Sequence, residues 1–175
     1  MRGASALLLA SLLVTACDAR AGSVANEQAR PVKPALTGRV IDEANILSDT
    51  AEAELIQASA ALEQRRTDQF VVVTLPSLKG RTIEQTGLAL GRGWGIGQRG
   101  KNNGVLLLVA PDERKVRIEV GYGLEPYLTN REASAIIDQT IVPFYSSGEM
   151  EKGTLAGARA IIAELDRSPL VEARQ

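Results

Sequence analysis

Six consecutive apolar residues, Val105-Leu106-Leu107-Leu108-Val109-Ala110, precede the turn signal Pro111-Asp112-Glu113-Arg114 and the strictly alternating run Lys115-Val116-Arg117-Ile118-Glu119-Val120. This pairing constrains the fold more than any other feature. A short run apolar at every position is expected of a strand covered on both faces, and an alternating run of a strand with one apolar face. The two are predicted to form a hairpin at the middle of a sheet, with Val116, Ile118 and Val120 facing a core and Lys115, Arg117 and Glu119 sharing the other face.

The segments around the hairpin read as helices and one further strand. Ser48-Asp49-Thr50 opens a helix, with Asp49 and Glu52 spaced as a capping box and Leu55, Ala58 and Leu62 as its buried stripe, ending near Thr67. Gln69 to Leu75 is a β-branched run closed by Pro76, a buried strand. Thr82 and Gln85 cap a second helix with Ile83, Leu88 and Leu90 as core contacts, stopped by the six glycines between Gly91 and Gly104. Thr129 and Glu132 make a third capping pair for a helix from Asn130 to about Ile141, where Pro143 interrupts. A last helix runs from about Glu149 to Asp166. Helices before, between and after the strands predict an α/β/α sandwich with a short mixed β-sheet.

A chain of 175 residues with 45% hydrophobic content supports one domain with a real core. Its boundaries are read as 1–16 targeting signal, 17–35 spacer, 36–166 domain and 167–175 tail. Met1-Arg2 and the apolar stretch Ala4 to Val14 form the signal, and Leu13-Val14-Thr15-Ala16-Cys17 resembles a bacterial lipobox with Cys17 as the lipidated residue. Asp18 after that cysteine, by resemblance to Gram-negative lipoproteins, suggests retention at the inner membrane, facing the periplasm. No later run is long and apolar enough for a membrane span, so the lipid is expected to be the anchor.

The formal charge of −1 and the 3% aromatic content leave neither a basic footprint nor stacking platforms for nucleic acid. The complete absence of histidine removes Ser-His-Asp and Cys-His schemes and His-ligated metals. Any metal would be a hard cation held by oxygen, Ca²⁺ or Mg²⁺. Gly95-Ile96-Gly97-Gln98-Arg99-Gly100 fits G-x-G-x-x-G, but it leaves a helix and enters a strand, the reverse of the strand–turn–helix order that cradles a nucleotide. The oxygen donors that remain are Asp42 and Asn45 before the first helix, Asn102 and Asn103 before the central strand, and Glu119 and Glu125 around the turn Gly121-Tyr122-Gly123. Each also has a plain structural reading: Asp42 and Asn45 as turn or cap formers, the asparagine pair as a turn, Glu119 as a strand-face charge beside Arg117 or Arg114, and Glu125 with Pro126 as a loop closure.

Val40-x-Asp42-x-Ala44-x-x-Leu47, then Trp94-Gly95-Ile96-Gly97, Asn102-Asn103-Gly104 leading into Val105–Val109, and Arg117 to Glu125 with Leu128-Thr129 following, resemble the TPM domain over about residues 36–166. That family includes a thylakoid-lumen protein, a photosystem II repair factor and many bacterial extracytoplasmic proteins. The resemblance implies an α/β/α sandwich, binding of a divalent cation with Ca²⁺ preferred to Mg²⁺, and for some members acid phosphatase activity. Others act as accessory factors in membrane-complex assembly or repair. Carried over by motif, it points to Asp42, Asn103, Glu119 and Glu125 as the site, with Asn102 behind them. Many bacterial relatives continue into a transmembrane helix and a glycine-rich tail, whereas this sequence stops near Gln175 and its N-terminal lipid would replace that anchor. Two functional classes follow: a cation-ordered module that docks on a membrane or envelope complex, or a metal-dependent phosphatase acting on phosphomonoesters. In the second, Asp42 or Glu119 would accept the proton of the attacking water.

Overall fold

The computed structural model describes residues 36–172; the expected signal peptide and the whole of the spacer, with Cys17 and Asp18, lie outside the described residues. A four-stranded sheet has the order β1 (Val40–Asp42), β2 (Gln69–Thr74), β3 (Gly104–Ala110), β4 (Lys115–Val120). The first three strands are parallel and β4 closes the predicted hairpin antiparallel to β3, with Leu107 opposite Ile118 and Leu106 opposite Glu119. Strand alternation divides β3 between two cores. Val105, Leu107 and Val109 pack with Leu55 and Leu62 of α1 (Asp49–Arg66) and with Ile161 and Leu165 of α5 (Met150–Arg167). Leu106, Leu108 and Ala110 face Ile83 and Leu90 of α2 (Ile83–Trp94). The molecule is therefore an α/β/α sandwich with a mixed sheet, as the strand patterns require. Because β1, β2 and β3 stand side by side in chain order while α1 and α2 cover opposite faces, the two crossovers have opposite hands. One of them breaks the usual right-handed preference.

Several local expectations need correction. Ser48, not Asp49, caps α1: its side chain accepts from the Ala51 amide at 3.2 Å. Its own backbone amide, which a capping box would satisfy from within the helix, donates to Glu151 Oε2 of α5 at 2.6 Å. A tertiary carboxylate does what the local one was expected to do. The buried stripe of α1 passes through Ser59 rather than Ala58, because burial follows the helical period from Ala51 to Leu55, Ser59 and Leu62, and Ser59 Oγ satisfies itself on the Phe70 carbonyl at 2.5 Å. In α2 the buried positions are Ile83, Thr86, Gly87 and Leu90, leaving Leu88 exposed. This helix also runs through Gly91 and Gly93, ending at Gly95 in left-handed conformation.

Pro143 does not interrupt the helical path. Between α3 (Asn130–Ile136) and α4 (Val142–Ser146) lies a π-helical turn, Ile137–Ile141, whose closing bond runs from the Val142 amide to the Ile137 carbonyl. Widening the helix ahead of Pro143 relieves the clash and missing donor that would break a continuous α-helix. The capping boxes at Thr82–Gln85 and Thr129–Glu132 form as the spacing predicts.

Candidate functional site

The chain leaving α2 carries a glycine loop, 95–101, back to the start of β3, and the chain leaving β4 turns through Gly121-Tyr122-Gly123 beside it. The loop thus follows a helix and precedes a strand, the order read from the sequence. At Gly97 the backbone takes φ +102°, and a Cβ there would stand 2.7 Å from the Gly104 amide nitrogen, so loop and strand run in direct backbone contact. The second turn presses equally close: a Cβ on Gly123 would overlap the Lys101 carbonyl oxygen, and the Gly123 amide donates to the Asn102 carbonyl at 3.1 Å.

A cleft of about 530 Å³ opens between these two loops and the last turns of α2. Leu106 and Val120 are among its lining residues, its rim includes Leu88, Arg92, Arg99 and Tyr122, and its oxygen donors are Gln98, Asn102, Glu119 and Glu125. Two of the large apolar side chains left exposed on the described surface, Leu88 and Tyr122, belong to this rim. Glu119 is only partly open to solvent: its Oε2 accepts from Arg117 Nε at 2.5 Å, and α2 lies over the pair at Gly87. Of the two partners considered for Glu119, Arg117 is therefore the one it takes.

The expected site residues divide. Asn102, Glu119 and Glu125 share the cleft. Asn103 stands behind it, fully buried, with its carboxamide oxygen accepting from the Gln98 amide at 2.8 Å and its nitrogen donating to Asp68 Oδ1 at 3.1 Å and the Thr67 carbonyl at 2.9 Å. It braces the glycine loop from inside rather than facing the cleft. Asp42 is at the other end of the sheet. Its register partners are Thr74 and, through Thr74, Val109, so about six residues of β3, roughly 20 Å of strand, separate it from Asn103. There Asp42 folds the following loop, accepting from the Ile46 amide at 3.2 Å, the Leu47 amide at 2.8 Å and the Thr74 hydroxyl, which is the turn-forming role rather than a part of the cleft. Asn45, in left-handed conformation at φ 53°, completes that turn.

Sequence reasoning overlooked Arg92, Arg99 and Tyr122, and placed Leu88 in the core. For Leu88 the signal was available: it falls out of phase with the buried series Ile83, Gly87, Leu90, and an apolar residue off its helix's buried stripe is a candidate for a surface with a purpose. A further support lies under the loop. The Gly97 amide donates to Gln69 Oε1 at 2.7 Å, and Gln69 Nε2 donates to Glu63 Oε1 at 3.0 Å. Burial by itself would raise the Glu63 carboxyl, but hydrogen bonds from Gln69 and Arg39 together outweigh it and hold Glu63 below its ordinary value of 4.5.

With this geometry established, the chain can be set beside known proteins. Residues 40–164 match the model of the TPM domain. The chain belongs to the TPM domain family. Among solved structures, this TPM domain resembles the N-terminal domain of a Porphyromonas gingivalis (P.gingivalis) protein at 39% identity and a TM-score of 0.70, over 75% of this chain and 85% of that one. It shares the fold of the N-terminal domain of cg2496 from Corynebacterium glutamicum (19% identity, TM-score 0.58, 79% and 89% covered). The same holds for BA42 from the psychrophilic bacterium Bizionia argentinensis (16% identity, TM-score 0.59, 69% and 82% covered). No curated protein sequence matches it.

Proposed function

We propose that this TPM domain is a lipid-anchored extracytoplasmic module, of the bacterial lipoprotein kind, that binds a divalent cation in the cleft between its two glycine loops and thereby orders a surface for a membrane-protein complex. The observation that carries the reading is the convergence of Glu119, Glu125 and Asn102 on one cleft from segments that the sequence keeps apart. Hard cations take such carboxylate and amide oxygens, and Gln98 adds another. The donor set fits a weak site. Two carboxylates line the cleft, one of them shared with Arg117, and among the described residues no three acidic side chains cluster closely enough to hold a metal without help from amide or backbone oxygens. An affinity of about 10⁻⁴–10⁻³ M is expected, the range of extracellular calcium modules. Glu119 and Glu125 would hold the cation and Asn102 would complete its shell; Ca²⁺, with its tolerance of irregular geometry, suits flexible loops better than Mg²⁺. The anchor would be the lipid on Cys17, with Asp18 favouring the inner membrane; among the described residues no helix is long and apolar enough to cross a bilayer.

Arg92 and Arg99 favour a second reading, a metal-dependent acid phosphatase. Guanidinium forks beside carboxylates can hold phosphate oxygens, and Glu119 would take the proton of an attacking water. The cation would supply charge for the phosphoryl oxygens. Asp42 has no part in this arrangement, being at the far end of the sheet.

Ca²⁺ titration followed by thermal shift tests the first reading, with Glu119→Gln and Glu125→Gln each expected to weaken binding about tenfold or more. No shift with the unaltered protein would overturn the cation site. Hydrolysis of p-nitrophenyl phosphate, measured in the same titration beside Arg92→Ala, tests the second: turnover that is absent, or indifferent to the substitution, sinks it.

A further inference from the structure

We infer that the segment following α5, residues 168–171, sets the position of both loops that frame the cleft, with Arg66 and Asp68 as the positioning residues through which it acts. This goes beyond the cation reading and holds whether or not a cation binds.

The first line of contact is polar and buried. Arg66, the last residue of α1, donates from Nη1 to the Ser168 carbonyl at 2.8 Å, from Nη2 to the Pro169 carbonyl at 3.1 Å and from Nε to Asp68 Oδ2 at 3.0 Å. Asp68 is wholly buried, and its other oxygen accepts from Asn103 Nδ2 at 3.1 Å. Asn103 in turn holds the Gln98 amide of the glycine loop at 2.8 Å. The route from the segment to the loop therefore runs through three side chains, each nine-tenths or more buried. A planar guanidinium offers its donors in a fixed fork, so Arg66 cannot keep Asp68 and follow the two carbonyls if the segment moves. Moving it leaves buried polar atoms without partners.

The second line of contact is apolar. Val171 packs against the core shared by α1 and α5, and its Cγ1 lies 3.1 Å from where a Cβ on Gly123 would stand. The side chain is seated against the second cleft loop, whose Gly123 amide is bonded to the Asn102 carbonyl. Four consecutive residues thus reach both walls of the cleft by independent routes. An ordinary tail that merely closes a core has no reason to touch both. The consequence is reciprocal: anything that seats or pulls this segment shifts the cleft, and a ligand that fixes the cleft loops holds the segment down.

Backbone hydrogen exchange on the full-length chain, without added cation, tests this separately from the proposed function. Val171→Asp should release the segment and speed exchange at the Gln98 and Gly123 amides roughly tenfold or more, while amides inside β2 and β3 keep their protection. Arg66→Lys keeps a positive charge for Asp68 but cannot hold both carbonyls, and should reproduce the effect at Gln98; should that variant fail to fold, Val171→Asp decides alone. Ile162→Ala, which loosens α5 away from the segment, should leave both amides unchanged. The inference is overturned if Val171→Asp frees the Ser168 amide without altering Gln98 and Gly123, or if all variants raise exchange uniformly through the sheet.

Discussion

Replacing Asn103 by aspartate separates a cation ligand from a buried brace, because the two roles predict opposite signs. In a solvent-facing site a carboxylate in place of a carboxamide would tighten Ca²⁺ binding. In the structure the carboxamide nitrogen faces Asp68 Oδ1 at 3.1 Å and the Thr67 carbonyl at 2.9 Å, with no exposure to solvent. Asn103→Asp turns both bonds into oxygen–oxygen contacts. The charge-assisted bond to Asp68 is worth about 1.5–3 kcal/mol and the bond to Thr67 about 1 kcal/mol. Two like charges about 3 Å apart would add roughly 5 kcal/mol at an effective dielectric near 20. The new carboxyl avoids most of that by keeping a proton, which limits the total to about 3–5 kcal/mol at pH 7. Urea unfolding should show a midpoint lower by about 2 M for a slope near 2 kcal/mol per molar. The deficit should shrink as the pH falls, since a group whose folded-state pKa is raised gains stability in acid. Wild-type stability together with tighter Ca²⁺ binding by Asn103→Asp would refute the brace and restore Asn103 as a ligand.

Two further outcomes follow from the loops. Gly123→Ala forces a Cβ onto the Lys101 carbonyl and should cost about 1–3 kcal/mol in unfolding experiments, whereas Gly91→Ala, inside α2 with open space around it, should stabilise by about 0.5–1 kcal/mol; equal effects would contradict the close approach of the two loops. Glu63, held below its ordinary value of 4.5, stabilises the protein fully above about pH 4.5, and the contribution is lost as the pH falls below that through its folded value. Glu63→Gln should therefore flatten the acid limb of a urea-midpoint profile between pH 6 and 3; an unchanged slope would show that Gln69 and Arg39 do not depend on its charge.

The sequence was legible where the chain decides matters locally. The all-apolar β3 and alternating β4 defined the hairpin and its faces, and Thr82 and Thr129 capped their helices from their own third residues. It was less legible where a partner arrives from far along the chain. Ser48 is capped in part by Glu151, so the local Asp49–Glu52 pairing misled. Pro143 reads as a break only when the widened turn ahead of it is unknown.

The candidate site shows the same division. Asn102, Glu119 and Glu125 were picked out as oxygen donors and the structure brings them to one cleft, but Asp42, picked out in the same way and grouped with them by motif, lies apart. Distance along a sheet is invisible to motif spacing: Asp42 ends β1 and Asn103 immediately precedes β3, at opposite ends of two parallel strands with β2 between them. Arg92, Arg99 and Tyr122 had no pattern of their own, since an exposed charge or aromatic acquires meaning only from what faces it.

By itself, then, the sequence determined the hairpin, the strand β2, the main helices and the α/β/α layering, because backbone propensity, capping and hydrophobic period act over a few residues; the three-residue edge strand β1, too short to show a period, and the exact buried stripes of α1 and α2 were not legible in it. Only the tertiary structure decided which oxygens converge, that Asn103 supports the loop instead of facing the cleft, and that the segment after α5 reaches both of the loops that frame it. Those outcomes depend on which strands are neighbours and which ends they share, and the free energy that fixes them comes from burial and hydrogen bonding between residues that can be more than a hundred positions apart.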